Sequence, residues 1–123
     1  MKKVVVIDGN KQHLQLISFL LRKENLDVFE FASGLEGMNW LKSNKADTCV
    51  LDWQLSIMHG IEILNEIQLD ERHKNTKVIC VSAHSSFEHK PAIEYGFDGY
   101  ISKPINSKLF INEIKKIVDT VIV

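Results

Sequence analysis

The sequence predicts a doubly wound α/β domain with a five-stranded parallel sheet and five helices, and three observations carry that reading. Short apolar runs, mostly rich in β-branched or aromatic residues, recur at 4–7, 28–31, 48–51, 78–81 and 100–101. Amphipathic stretches with helical spacing separate them, so strand and helix alternate, and parallel strands joined by right-handed crossovers put helices on both faces. The chain has 123 residues and 14.1 kDa, is 45% hydrophobic, and has no Pro-, Gly- or Ser-rich divider, repeat or low-complexity tract, so residues 1–123 are expected to form one domain.

Each element has its own signals. The first strand, 4–7, leads to Asn10 as a helix N-cap and then to Leu14, Ile17, Leu20 and Leu21 on one face. After the second strand, Ser33-Gly34-Leu35-Glu36 has capping-box spacing and opens a helix with Leu35, Met38 and Leu41 inward. The third strand, 48–51, is followed by a loop at 53–60 and by Ile61, Leu64 and Ile67 at helical spacing. Beyond the fourth strand, Ser86 is a possible N-cap, but Pro91 falls too deep in a helix capped there, which moves the expected start of the fourth helix toward His89. The fifth strand, Tyr100-Ile101, precedes an N-cap at Asn106 or Ser107 and a helix with Leu109, Phe110, Ile114, Ile117, Val118 and Val121 inward.

Composition narrows the function. Fifteen Lys+Arg against sixteen Asp+Glu give a net charge of −1, without the positive field expected of a protein that binds nucleic-acid backbone directly. No apolar run reaches the ~18 residues of a membrane span, and residues 4–7 are too short for a secretory signal core, so a cytoplasmic protein is expected. Cys49 and Cys80 lie inside apolar runs and read as buried free thiols. If Asp52 and Ser82 end their strands level, alternation places the two thiols on opposite sheet faces.

Ligands of such folds bind beyond the carboxyl ends of the strands. The runs there end at Asp8, Asp52, Ser82 and Ser102-Lys103. Two carboxylates together repel unless a cation or a proton separates them, and oxygen ligands with open water positions suit Mg²⁺. Lys103, the Ser82 hydroxyl and the backbone N–H of Ala83 could bind phosphoryl oxygens. One carboxylate remains as nucleophile, and Asp52, which opens the long loop, is the better placed.

Ile7-Asp8, Leu51-Asp52-Trp53, Val81-Ser82-Ala83 and Tyr100-Ile101-Ser102-Lys103-Pro104 together resemble the receiver domain of two-component response regulators, over essentially the whole chain. The resemblance implies a flavodoxin-like strand order 2-1-3-4-5. It also implies that Asp52 takes a phosphoryl group from a phosphohistidine on a histidine kinase or phosphotransfer protein. Mg²⁺ would be held by Asp8, Asp52 and the backbone carbonyl of Gln54, and phosphoryl oxygens by Ser82, Ala83 and Lys103. Tyr100 would be the aromatic that turns inward as Ser82 is drawn to the phosphate, changing the surface offered to a downstream protein. Such a chain is similar to single-domain receivers, accepts phosphate on its own aspartate with possible self-dephosphorylation, and is not a conventional enzyme. In the family, positions equivalent to Gln54 and His84 influence phosphate hydrolysis.

The sequence departs from the family pattern where a second acid normally follows the first strand and Gly9 stands instead. The loss of a carboxylate predicts weaker Mg²⁺ binding, with water filling the position. Asn10 could offer a carbonyl oxygen, but helix capping is the preferred role. Gly9 itself reads as a loop residue tolerating positive φ. Ser56 replaces a common proline, and Pro91 makes relatives' docking at the fourth helix a poor guide. His84 and His89 read as solvated residues rather than zinc ligands, and Trp53 as a partly buried cover for the site. The alternative function is a pseudo-receiver, a protein-interaction module with impaired metal binding. A flavin-binding protein is more remote, since no Ser/Thr-rich phosphate loop follows the first strand.

Overall fold

The computed structural model describes residues 2–55, 59–82 and 92–118. Its strands are β1 (Lys3–Ile7), β2 (Asp27–Phe31), β3 (Thr48–Asp52), β4 (Lys77–Ser82) and β5 (Gly99–Ser102), each covering its expected run. They form one parallel sheet in the order β2-β1-β3-β4-β5. The helices are α1 (Lys11–Lys23), α2 (Gly34–Ser43), α3 (Gly60–Leu69) and α5 (Ser107–Val118), with a single turn α4 (Ala92–Tyr95) and a 3-10 turn Glu71–His73 after α3.

Strand alternation explains the two-sided core. Val5, Ile7, Cys49, Leu51, Val78 and Cys80 face α2 and α3, where they meet Met38, Leu41, Ile63, Leu64 and Ile67. Val4, Val6, Val50, Ile79, Val81 and Ile101 face α1 and α5, meeting Leu14, Ile17, Leu21, Phe110 and Ile114. Each fully buried aliphatic side chain contributes ~1.5–3 kcal/mol, and covering both faces is what makes the central strands continuous apolar runs. All five residues of β3 are buried.

The caps follow the sequence signals. Asn10 accepts from His13 N at 3.1 Å, Ser33 from Glu36 N at 3.2 Å, and Asn106 from Leu109 N at 3.1 Å, which selects Asn106 over Ser107. Two helical positions differ from expectation: Leu35 is 57% exposed and Leu109 62%. Each sits in the first turn of its helix. Ser56, Ser86, His89, Pro91 and Val121 lie outside the described residues.

The cysteine faces also need correction. Cys49 is level with Val78, and Leu51 with Cys80, so both thiols point to the α2–α3 side. The premise of level ends fails by one residue, because Asp52 pairs with Val81 and β4 continues to Ser82. A one-residue stagger reverses every facing assignment. Both thiols are free and buried, as the sequence suggested.

Candidate functional site

The register brings the strand ends together. Ile7 is level with Leu51, so Asp8, the residue after β1, stands beside Asp52 at the end of β3. Ser82 is level with Ser102, and Lys103 comes next. Backbone bonds continue the pairing past the strands: Asp8 N donates to Phe31 O at 3.1 Å, Trp53 N to Val81 O at 2.9 Å, and Lys103 N to Ser82 O at 2.8 Å. The Lys103–Pro104 peptide is cis. Asp8, Asp52 and Ser82 are 1%, 8% and 2% exposed.

The charges are close and little solvated. Lys103 Nζ lies 3.0 Å from Asp8 Oδ2 and 3.5 Å from Asp52 Oδ2. Each carboxylate also accepts one backbone N–H on its other oxygen, Asp8 Oδ1 from Asn10 at 2.8 Å and Asp52 Oδ1 from Gln54 at 3.2 Å. Asp8 Oδ2 is buried without a hydrogen bond, its contact with the Lys103 ammonium at 3.0 Å being an ion pair. Burial foremost, then the adjacent Asp8 charge, raises the Asp52 carboxyl to about 6, while Lys103 and the Gln54 N–H pull it back. Above that pH Asp52 is ionised, as a nucleophile must be.

The residues present fit a divalent ion that keeps most of its water. The supporting observation is Asp8 Oδ2, a buried anionic oxygen facing Asp52 and Lys103 with no hydrogen-bond donor. Mg²⁺ is commonly held by one or two carboxylates and otherwise by water and phosphate. The protein supplies no more than that: among the described residues no group of three or more His, Cys, Asp or Glu side chains converges. Gly9 is not excluded as a position for a third acid by space, since a Cβ there would meet its nearest atom, Ala32 O, at 3.8 Å. Gly9 lies in the loop between β1 and α1, as expected, and its φ is not positive, so the tolerance that glycine offers there is not used.

The other expected residues are distributed around this edge. Gln54, two beyond Asp52, is exposed with its N–H on the carboxylate. Tyr100 is half-buried in β5, level with Cys80 and two residues before Ser102, so it stands below the carboxylates rather than among them. Ala83 and His84 lie outside the described residues. Asn10 acts as the cap of α1, and its side chain is occupied there.

Trp53 is half-buried, but its packing was not legible in advance. Its ring lies 5.2 Å from Tyr95, 5.9 Å from Phe97 and 6.4 Å from His59, joining the residue after the carboxylate to α4, the segment before β5 and the N-cap of α3. Tyr95 and Phe97 carried one usable signal, two aromatics just ahead of the fifth strand. Cavities of about 320 Å³ beside α2 and α3 and about 430 Å³ near Lys3 and Lys74 are lined by other residues.

Comparison with known proteins decides what this edge belongs to. Residues 4–115 match the family model for the response regulator receiver domain. The chain belongs to that family. Among curated relatives, the polar-differentiation response regulator DivK of Brucella ovis is 29% identical over 115 residues, covering 93% of this chain and 94% of that one. The chemotaxis response regulator CheY4 of Vibrio cholerae superposes with a TM-score of 0.88 at 22% identity, covering 95% and 98% of the two chains, which supports the fold. The Francisella response regulator 1452 receiver domain is 28% identical with a TM-score of 0.83, covering 97% and 98%. The strand order expected of a receiver is the one observed. A receiver is a signalling module of two-component systems and not a classical enzyme, and no described helix of this one is long and apolar enough to cross a membrane.

Proposed function

We propose that this receiver is a phosphoacceptor: Asp52 takes a phosphoryl group from the phosphohistidine of a histidine kinase or phosphotransfer protein. The observation that carries the reading is the convergence of Asp8, Asp52 and Lys103, each at most about one-tenth exposed, within 3.5 Å of the Lys103 ammonium. In the transfer, the donor's P–N bond breaks as an oxygen–phosphorus bond forms at the Asp52 carboxylate. The electron pair of that bond stays on the ring nitrogen, and a proton carried by the other ring nitrogen leaves the imidazole neutral. Mg²⁺ bound by Asp8, Asp52 and the Gln54 carbonyl would neutralise the phosphoryl oxygens. Lys103 holds one such oxygen as a point charge, and the Ser82 hydroxyl donates to another, assisted by the Ala83 N–H. Drawing Ser82 toward the phosphate opens space for Tyr100 to turn inward, and the face around the fourth and fifth elements then offers a downstream protein a different surface. The product is lost by hydrolysis at the same site, and the setting is cytoplasmic.

Gly9 favours one second reading, a pseudo-receiver whose surface acts without phosphorylation, because it stands where the family pattern implies a further carboxylate. Incubation with a small phosphodonor and Mg²⁺ separates the two. An intact-mass gain of one phosphoryl group, absent in Asp52→Asn, supports the acceptor. No gain in the parent protein supports the pseudo-receiver.

A further inference from the structure

β2 is an edge of the sheet, paired on one side with β1. Two backbone bonds fix which way its polar groups point: Asp27 N donates to Lys2 O at 2.9 Å, and Phe31 O accepts from Asp8 N at 3.1 Å. Because direction alternates along a strand, residues 27, 29 and 31 turn their polar groups to β1, while Val28 and Glu30 turn theirs outward. Among the described residues that outward row meets one donor, Arg22 Nη2, 3.4 Å from Val28 O. Aromatic side chains flank this open row on both faces. On the α2 side Phe29 and Phe31 are half-buried, with ring centroids 4.7 and 6.2 Å from the half-buried Trp40. On the α1 side Phe19 is 58% exposed, one helical turn from Arg22, whose guanidinium reaches Glu30 Oε2 at 3.2 Å.

We propose that this edge is a homodimer interface, in which β2 pairs antiparallel with β2 of a second copy of the chain across a two-fold axis at Phe29. In that register Val28 lies opposite Glu30 of the partner subunit and Glu30 opposite Val28 of the partner subunit, so the four outward N–H groups and four outward carbonyls close on one another. Phe29 meets its own counterpart as a non-hydrogen-bonded pair, the closer kind, with Cα atoms about 4.5 Å apart. Aromatic pairs of that type stabilise a ladder, and this one joins the two Phe29–Trp40 stacks. Charge selects a second copy as the occupant. Val28 packs on the α1 side and Glu30 reaches Arg22 there, so Arg22 can hold Glu30 of the partner subunit as it holds its own, and the exchange is reciprocal. Charged side chains commonly guard an open edge against pairing; across this axis the same charges match. A two-fold contact of this kind closes at two copies and brings the Phe19 flank of α1 beside its counterpart.

The test combines sedimentation equilibrium with disulfide trapping. The mass of the parent should rise with concentration from one chain toward two. Phe29→Cys should form an intermolecular disulfide under mild oxidation, since a Cα separation of about 4.5 Å lies within disulfide reach. Glu30→Cys stands two residues out of step with its counterpart, roughly 8 Å away, and should not. Cys49 and Cys80 are buried and do not compete. Glu30→Pro removes an N–H that the sheet of one chain does not use; it should keep the circular dichroism of the parent and lose the dimer. A parent that stays at the mass of one chain overturns the proposal and leaves the edge to an extended segment of another protein. Equal cross-linking of the two cysteine variants, or a folded Glu30→Pro that still dimerises, also overturns it. Should Glu30→Pro fail to fold, the two cysteine variants decide. No phosphodonor is present, so these outcomes are independent of whether Asp52 can be phosphorylated.

Discussion

Gly60 is seated directly against Asp52. A Cβ on Gly60 would lie 3.0 Å from the Asp52 carbonyl oxygen and 3.2 Å from both Trp53 Cα and Trp53 O, closer than side-chain carbon normally comes to backbone. The Gly60 N–H also donates to Trp53 O at 3.3 Å. The start of α3 is thereby packed onto the strand end that carries the proposed acceptor. Gly60→Ala must push that backbone aside and should destabilise the protein by ~1–3 kcal/mol, measured by urea unfolding. An unchanged midpoint would show that the loop absorbs a methyl group freely.

Asp52 makes stability depend on pH with a definite sign. Its carboxyl titrates at about 6 in the folded protein against 3.8 ordinarily, chiefly through burial and the adjacent Asp8. The folded state thus holds this proton more tightly. The associated stabilisation is full below about pH 4 and is lost as pH rises through about 6. Asp52→Asn removes the charge and keeps the shape. It should be more stable than the parent at pH 7 by ~1 kcal/mol, as expected when a strained functional group is removed, with the difference shrinking toward pH 4. Thermal melts of both proteins across that range measure it, and a parent more stable than Asp52→Asn at pH 7 contradicts the account.

His73 holds the end of α2 from 32 residues away. It is 4% exposed, with Nε2 2.8 Å from Leu41 O. A carbonyl only accepts, so Nε2 carries the proton. Nearby, Arg72 donates to Lys42 O and Asn44 to Trp40 O, so three consecutive carbonyls of the last turn have partners. His73→Leu, of similar bulk, leaves the buried Leu41 carbonyl without a donor and should cost ~1–3 kcal/mol. Hydrogen exchange should rise in the last turn of α2 while β1 stays protected; uniform exchange across both would contradict a local capping role.

The thiols provide a check on core packing. Burial raises both Cys49 and Cys80 to about 12, and the thiolate is the reactive form. A thiol reagent near neutral pH should label neither cysteine in the native protein and both after unfolding in urea. Fast native labelling of either one would place it outside the α2–α3 core.

The parts of this structure legible in sequence are those set by local burial. Residues 4–7 and 48–51 read as strands because parallel strands covered on both faces take mostly apolar side chains, and Asp8 and Asp52 stood out because each ends such a run. Asn10 and Ser33 were recognisable because a cap acts within three residues. Through-space bonds were not. Asp47 accepts from Lys3 N at 2.8 Å and Asp98 from Val78 N at 2.7 Å, each across 20 residues or more, fastening the opposite end of the sheet. The cysteine faces depended on a one-residue stagger between β3 and β4 that no local pattern encodes. That Lys103 would stand closer to Asp8 than to Asp52 depended on three strands at once.

The central claim is that Asp52 carries the phosphoryl group. The direct measurement is chemical trapping: treat the protein with a small phosphodonor and Mg²⁺, reduce with borohydride, which converts an aspartyl phosphate to homoserine, and sequence the peptides by mass spectrometry. The account predicts homoserine at position 52, with none at position 8 and none when phosphodonor is omitted. Aspartate intact at position 52 after this treatment, or homoserine at another position, would contradict it.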